Sequence, residues 1–201
     1  NFEDGLPPPP QVIKILFNFG LVLFFKGVLV LKGETINSLL DMLQSPLNIL
    51  EIGSRQGSSA ALFASYIKKY GDKFYTCDNY KVTSMGENNP TPYIRLIFDK
   101  HIQNLNLSNY INFIEKSSKE VSEMFDNEFF DLVFIDGDHS ESGVNNDIAK
   151  ALLFNPKFIL FDDYFHPHHG KDIKASISNS INLELFKEYT ESPGFGLYKV
   201  K

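Results

Sequence analysis

The sequence has no tryptophan and one cysteine, Cys77, which excludes an internal disulfide and a cysteine-rich zinc site. Positive charge is not in excess. The formal charge of -6 gives no general polyanion-binding surface, so a nucleic-acid partner is not expected. A membrane span needs roughly 20 apolar residues without a central charge. The most apolar stretch, Leu21 to Leu31, carries Lys26 in its middle. Two phosphate-binding signatures are also missing. A GxGxxG turn starting at Gly53 would need glycines where Arg55 and Ser58 stand, and no Gly-Lys-Ser/Thr follows. No internal repeat is visible. The chain starts at Asn1 rather than Met, as an excised domain would, so its start is uninformative about targeting. A cytoplasmic location is the default expectation.

What is present suits one well-cored domain. The chain has 201 residues, 43% of them hydrophobic, including 19 phenylalanines. Its organising stretch runs from Asn48 to Tyr66. Ile49, Leu50 and Ile52 make a short strand-type run. Gly53 and Gly57 bracket a polar turn, and Ala60, Ala61, Leu62, Phe63, Ala64 and Ile67 continue at helical spacing. Strand, glycine turn and helix open a doubly wound α/β domain. Glycine lets a ligand approach bare backbone there, and a helix start near Ser58 offers unpaired N–H groups.

Ahead of this unit, residues 1–46 read as a proline-rich segment and helical extension, and 47–201 as the main domain. Pro7 to Pro10 impose a stiff extended start. The apolar segment beyond it is too greasy to face water. It is expected to make a homodimer contact; a membrane-touching surface is the lesser alternative. A helix follows with Ile36, Leu39, Leu40 and Leu43 on one face, ending before Pro46. After the organising unit, strands are expected at 73–77, 110–114, 129–135, 157–161, 183–186 and 195–201, about seven in all. Helices are expected at 93–105, 119–125, 141–153 and 173–181. The last two strands pair through the polar turn 191–194. The fold expected is Rossmann-like: a doubly wound, three-layer α/β/α arrangement with a seven-stranded, mostly parallel sheet and an antiparallel last strand.

In open sheets ligands bind outside the carboxyl ends of the strands. One strand there runs into Asp136-Gly-Asp-His139, and the next into Asp162-Asp163. Packed carboxylates repel, and a divalent cation relieves this. Oxygen ligands favour Mg2+, Ca2+ or Mn2+ over zinc. His139 can take a proton near neutral pH; its other readings are a metal ligand or a helix cap. Asp78, ending the 73–77 strand, suits a ribose-binding carboxylate or an ordinary loop acid. His166, His168 and His169 fit a solvated loop better than a lid or a nitrogen ligand.

The pattern Glu51-x-Gly53-x-x-x-Gly57 resembles motif I of the class I S-adenosylmethionine-dependent methyltransferases. With Asp136, His139, Asp162 and Asp163 added, the chain resembles the metal-dependent small-molecule O-methyltransferases over about residues 47–165. These include the catechol, caffeoyl-CoA and macrolide sugar (macrocin) enzymes, with cephalosporin hydroxylase-like relatives. The resemblance implies a metal, Mg2+ by expectation, on Asp136, Asp162 and Asp163. It implies a general base at His139, where the catechol enzymes carry lysine, with Asp136 beside it. Glu51, Gly53, Ser54, Arg55 and Gly57 would hold the methionine part of S-adenosylmethionine, with Asp136 facing the same cofactor. Asp78 would hold the ribose, and Ser117 and Ser118 the adenine, although Lys116 replaces the glycine usual there. The implied substrate is a small-molecule hydroxyl: a sugar, or a vicinal diol of catechol type.

Three other readings compete. Asp136-Gly-Asp138 matches the DxD of metal-dependent glycosyltransferases, but the Glu51-Gly53-Gly57 turn is foreign to that class. A non-catalytic scaffold on the same fold would use the apolar 15–31 stretch. A hydroxylase-like relative would need an iron-binding facial triad, which the sequence does not display.

Overall fold

The computed structural model describes residues 33–44, 46–71, 73–80, 91–125, 128–190 and 194–201. The proline run, the apolar 12–31 stretch with the contacts expected of it, most of the 80–92 loop and the 191–193 turn lie outside the described residues. Among the described residues no helix is long and apolar enough to cross a membrane.

Seven strands form one sheet in the order β3-β2-β1-β4-β5-β7-β6. Their ranges are β1 Asn48–Ile52, β2 Lys73–Cys77, β3 Asn112–Ile114, β4 Leu132–Ile135, β5 Phe158–Phe161, β6 Leu183–Tyr189 and β7 Phe195–Val200. The pairs β1·β2, β2·β3, β1·β4 and β4·β5 are parallel, whereas β7 is antiparallel to both β5 and β6. This is the expected three-layer Rossmann-like architecture. The helices are α1 (33–43), α2 Ser58–Tyr70, α3 Thr91–Asn104, α4 Ser118–Met124, α5 Glu141–Leu153 and α6 Gly170–Ser178. The expected 110–114 strand is shorter, because Ser108–Tyr110 closes into a 3-10 turn first. The 173–181 helix starts three residues sooner, at Gly170, and ends at Ser178.

Strand side chains alternate between faces, and the sheet sorts its apolar residues accordingly. Ile49, Phe74, Leu132, Phe134 and Leu160 pack with α1, α2 and α3 through Ile36, Leu39, Leu40, Phe63 and Phe98. Leu50, Cys77, Val133, Ile135 and Phe161 pack on the opposite face with α4, α5 and α6 through Val121, Val144, Ile148 and Ile173. Burial on both faces explains why β4 reads as an unbroken apolar run, with all four residues buried. Helix α1 thus shares the core of the main sheet. The amino ends of the strands are tied by Asp131, which accepts from the Asn48 N–H at 2.9 Å and from Lys157 Nζ at 2.7 Å.

Candidate active site

The same alternation aims the polar residues at the carboxyl ends. Glu51 follows Ile49, Thr76 follows Phe74, Asp136 follows Phe134 and Asp162 follows Leu160, two residues on in each case. All four therefore belong to the α2 side of the sheet. A cavity of about 70 Å³ lies there, lined by Ser58, Ser59, Asp136 and Asp162 over an apolar floor of Ile36, Leu62, Phe134 and Phe195.

The turn after β1 is built for close approach. Gly53 has φ 101°, and a β-carbon on it would overlap the Asp136 carbonyl. Gly57, at φ 81°, caps α2 without any side-chain acceptor, so the first turn of that helix keeps N–H groups for a ligand. Glu51 is fully buried. The Thr76 hydroxyl donates to its Oε2, and Ser54 Oγ lies 2.5 Å from Thr76 Oγ1. Its Oε1 is buried without a hydrogen bond. Burial pushes the Glu51 carboxyl up to about 8, against the Ser59 and Thr76 hydroxyls that hold it down. Asp78 accepts from the Arg55 N–H at 2.8 Å and the Tyr80 N–H at 2.7 Å, which pins the glycine turn to the end of β2. A buried orphan carboxylate oxygen, an uncapped helix start and a turn with no room for side chains fit a small zwitterionic cofactor. Glu51, Gly53, Ser54, Arg55, Gly57 and Asp78 surround this one turn.

Ser117 and Ser118 lie further out. Ser117 Oγ accepts from the Glu120 N–H in a capping box that starts α4. Ser118 Oγ donates at 2.6 Å to Asp147 Oδ1. Asp147 sits on the buried stripe of α5, and burial pushes its carboxyl up to about 6.

On the other side of Asp136 is a histidine cluster. His139 Nε2 lies 3.4 Å from Asp136 Oδ1 and 3.8 Å from Asp163 Oδ2. Burial works against a charged His139 ring, but Asp136, Asp163 and Asp162 outweigh it, and the net shift is upward. Asp163 has φ 53°, a left-handed conformation uncommon for a non-glycine residue. Asp163 lies beside His139, while Asp162, on the other face by strand alternation, lines the cavity. The expected Asp136, Asp162 and Asp163 do not form one close group: Asp136 and Asp162 line the cavity, and Asp163 lies beside His139. Among the described residues, the side chains whose ligand atoms all lie within 4.8 Å of one another are His139, Asp163 and His169.

The family of methyltransferase domains matches residues 50–164, from β1 through the carboxylates that follow β5. The chain belongs to this family. No curated protein matches it in sequence. As a methyltransferase domain it has many structural likenesses. An O-methyltransferase from Bacillus cereus in complex with SAH is 19% identical, covers 95% of this chain and 96% of its own, and superposes with TM-score 0.61. The SAH-bound methyltransferase PaMTH1 of Podospora anserina is 15% identical, covers 98% of each chain, and gives 0.60. CalS11, the TDP-rhamnose 3'-O-methyltransferase of calicheamicin biosynthesis, is 13% identical, covers 96% and 87%, and gives 0.62. At these identities the likeness is one of fold.

Three polar residues of this methyltransferase domain escape the sequence pattern. Ser59 is one position inside the helix start. Thr76 is a polar residue on an otherwise core-facing strand position. Asp147 interrupts the apolar stripe Val144, Ile148, Ala151. In each case the available signal is a polar side chain at a position whose spacing demands burial.

Proposed function

We propose that this domain transfers a methyl group from S-adenosylmethionine to a hydroxyl of a small molecule, a sugar or a catechol-like vicinal diol. The observation that carries the reading is the contact between the Gly53 turn and the Asp136 backbone. It puts the glycine turn, the small cavity beside it and an acid–histidine cluster on adjoining strand ends. S-adenosylmethionine would supply the electrophilic sulfonium methyl.

Each residue then has a task. The Glu51 carboxylate, with its unpaired Oε1, receives the cofactor ammonium. The uncapped first turn of α2, with Ser58 and Ser59, receives its carboxylate. Asp78 holds the ribose hydroxyls while keeping its backbone bonds, since each carboxylate oxygen has a second lone pair. His139 removes the hydroxyl proton through Nε2, oriented between Asp136 and Asp163. The apolar floor of Ile36, Leu62, Phe134 and Phe195 keeps water low where the oxygen attacks. Asp136, Asp162 and Asp163 offer oxygen ligands for Mg2+, which would stabilise the deprotonated hydroxyl.

Calorimetric titration of S-adenosylmethionine, with and without Mg2+, on wild type and Asp78→Ala tests this. Micromolar binding that is lost in the variant is expected, followed by methyl transfer in a screen of diols and sugars. Absence of binding under both conditions sinks the reading.

A further inference from the structure

Asp163 belongs to a second grouping that the carboxylates alone do not explain. His139 comes from the turn after β4, and His169 is the N-cap residue immediately before α6. Their ring centroids are 5.0 Å apart. Each of His139, Asp163 and His169 offers a ligand atom, and the three lie within 4.8 Å of one another. We propose that His139, Asp163 and His169 form a site for a divalent first-row transition ion, with two nitrogen ligands where Mg2+ would want oxygen.

The geometry suits an ion. His139 Nε2 is buried and makes no hydrogen bond. Bonds of about 2.0–2.2 Å to a metal set neighbouring ligand atoms roughly 3.0–3.6 Å apart. Asp136 Oδ1 already lies 3.4 Å from His139 Nε2, and Asp163 Oδ2 3.8 Å. The first distance is the edge of a coordination polyhedron, and the second needs only a small contraction. Asp136 then stands as a fourth ligand.

The loop that presents His169 is held in place. His166 Nδ1 accepts from the backbone N–H groups of His168 and His169, each at 3.3 Å, and the His166 ring stacks on His169 with centroids 4.5 Å apart. Imidazole favours Co2+, Ni2+ and Zn2+ over Mg2+ and Ca2+, whose preference is for oxygen.

Ion binding at this site stands independently of the reaction proposed above. One consequence rests on that reading: a His139 nitrogen bound to an ion cannot also receive the acceptor's proton. Transition ions would therefore oppose methyl transfer.

The test is titration of chelator-treated protein with Co2+, followed by visible absorption and calorimetry, with Mg2+ as the comparison. Co2+ is expected to bind at least ~100-fold more tightly than Mg2+. His169→Ala and His169→Gln should each weaken Co2+ by at least ~10-fold, whereas His168→Ala and Asp162→Asn should leave it within ~3-fold. The His169 side chain makes no capping bond to α6, so its variants keep that helix, which circular dichroism verifies. Equal affinity for Co2+ and Mg2+, wild-type Co2+ binding in both His169 variants, or loss of Co2+ with Asp162→Asn overturns the proposal. S-adenosylmethionine titrated in chelator separates the two readings. Cofactor binding without a histidine-dependent Co2+ site sinks this inference alone, and the reverse sinks the methyl-transfer reading alone.

Discussion

Gly53 stands against Asp136 with no space between them for a side chain: a β-carbon there would overlap the Asp136 carbonyl and lie 2.7 Å from the Gly137 nitrogen. Both obstacles are backbone, so neither can swing aside. Gly53 also sits at φ 101°, where an L side chain is strained. Gly53→Ala is expected to cost at least ~2 kcal/mol and to abolish cofactor binding. Urea denaturation and calorimetry check both, and a stable variant that binds S-adenosylmethionine would show that the two loops separate freely.

Asp147 makes stability depend on pH. Its carboxyl is raised from 3.8 to about 6 in the fold by burial. A raised pKa means the folded state holds its proton more tightly than the unfolded one. The associated stability is therefore complete below pH 3.8 and is lost as pH rises through 6. Asp147→Asn keeps an acceptor for Ser118 without the charge. It should stabilise the protein by roughly 2–3 kcal/mol at pH 8 and by little at pH ~4. Denaturation curves at the two pH values give the difference directly, and a gain that does not shrink in acid would contradict this cause.

On the proposed reading, Glu51 trades stability for ligand binding. Its carboxyl moves from 4.5 to about 8 in the fold, so its stabilising contribution is lost as pH rises through 8. Glu51→Gln should raise the melting temperature of the cofactor-free protein at pH 8 and above. It should also weaken S-adenosylmethionine by at least ~10-fold, because a charge-assisted contact to the cofactor ammonium is removed. Thermal melts with and without cofactor would show opposite signs. An unchanged cofactor affinity would remove Glu51 from the binding set.

His139→Ala should lower kcat by about 10²–10⁴ while leaving S-adenosylmethionine affinity within ~3-fold. In the metal-free protein the His139 ring should titrate above the ordinary histidine value, since the surrounding aspartates favour the protonated form, and Mg2+ on those aspartates should lower it. Steady-state rates with an acceptor from the diol screen check the first, and NMR titration with and without Mg2+ checks the second. An unaltered kcat would make His139 structural.

The sheet was legible because its strands are short apolar runs separated by helical stripes, and because Gly53 and Gly57 mark a turn no ordinary side chain could make. Strand ends were less so. Tyr110 and Phe129 have strand chemistry, yet one lies in a 3-10 turn and the other precedes β4. Asp136, Asp162 and Asp163 could be placed at strand ends by counting. That Asp162 and Asp163 part company follows from the same alternation; that Asp163 then meets His139 could not be counted, because it depends on the turns after β4 and β5. Ser117 and Ser118 show a further limit: a serine pair at a helix start fits a ligand loop and a capping box equally well, and only the partners Glu120 and Asp147 reveal the hydrogen bonds made here. His169 is brought beside His139 by the fold of α6 against α5, a contact between residues thirty positions apart.

The pairing of β1 with β4 also governs when the site can exist. Gly53 and Asp136 are 83 residues apart in the chain, with α2, β2, α3, β3 and α4 between them. A fragment that stops before β4 holds the glycine turn but none of Asp136, His139, Asp162 or Asp163. Closing so long a loop precedes any reward from the contacts it permits. The pocket is therefore a property of the completed sheet, and the gain of cofactor binding during refolding is a clock for the arrival of β4.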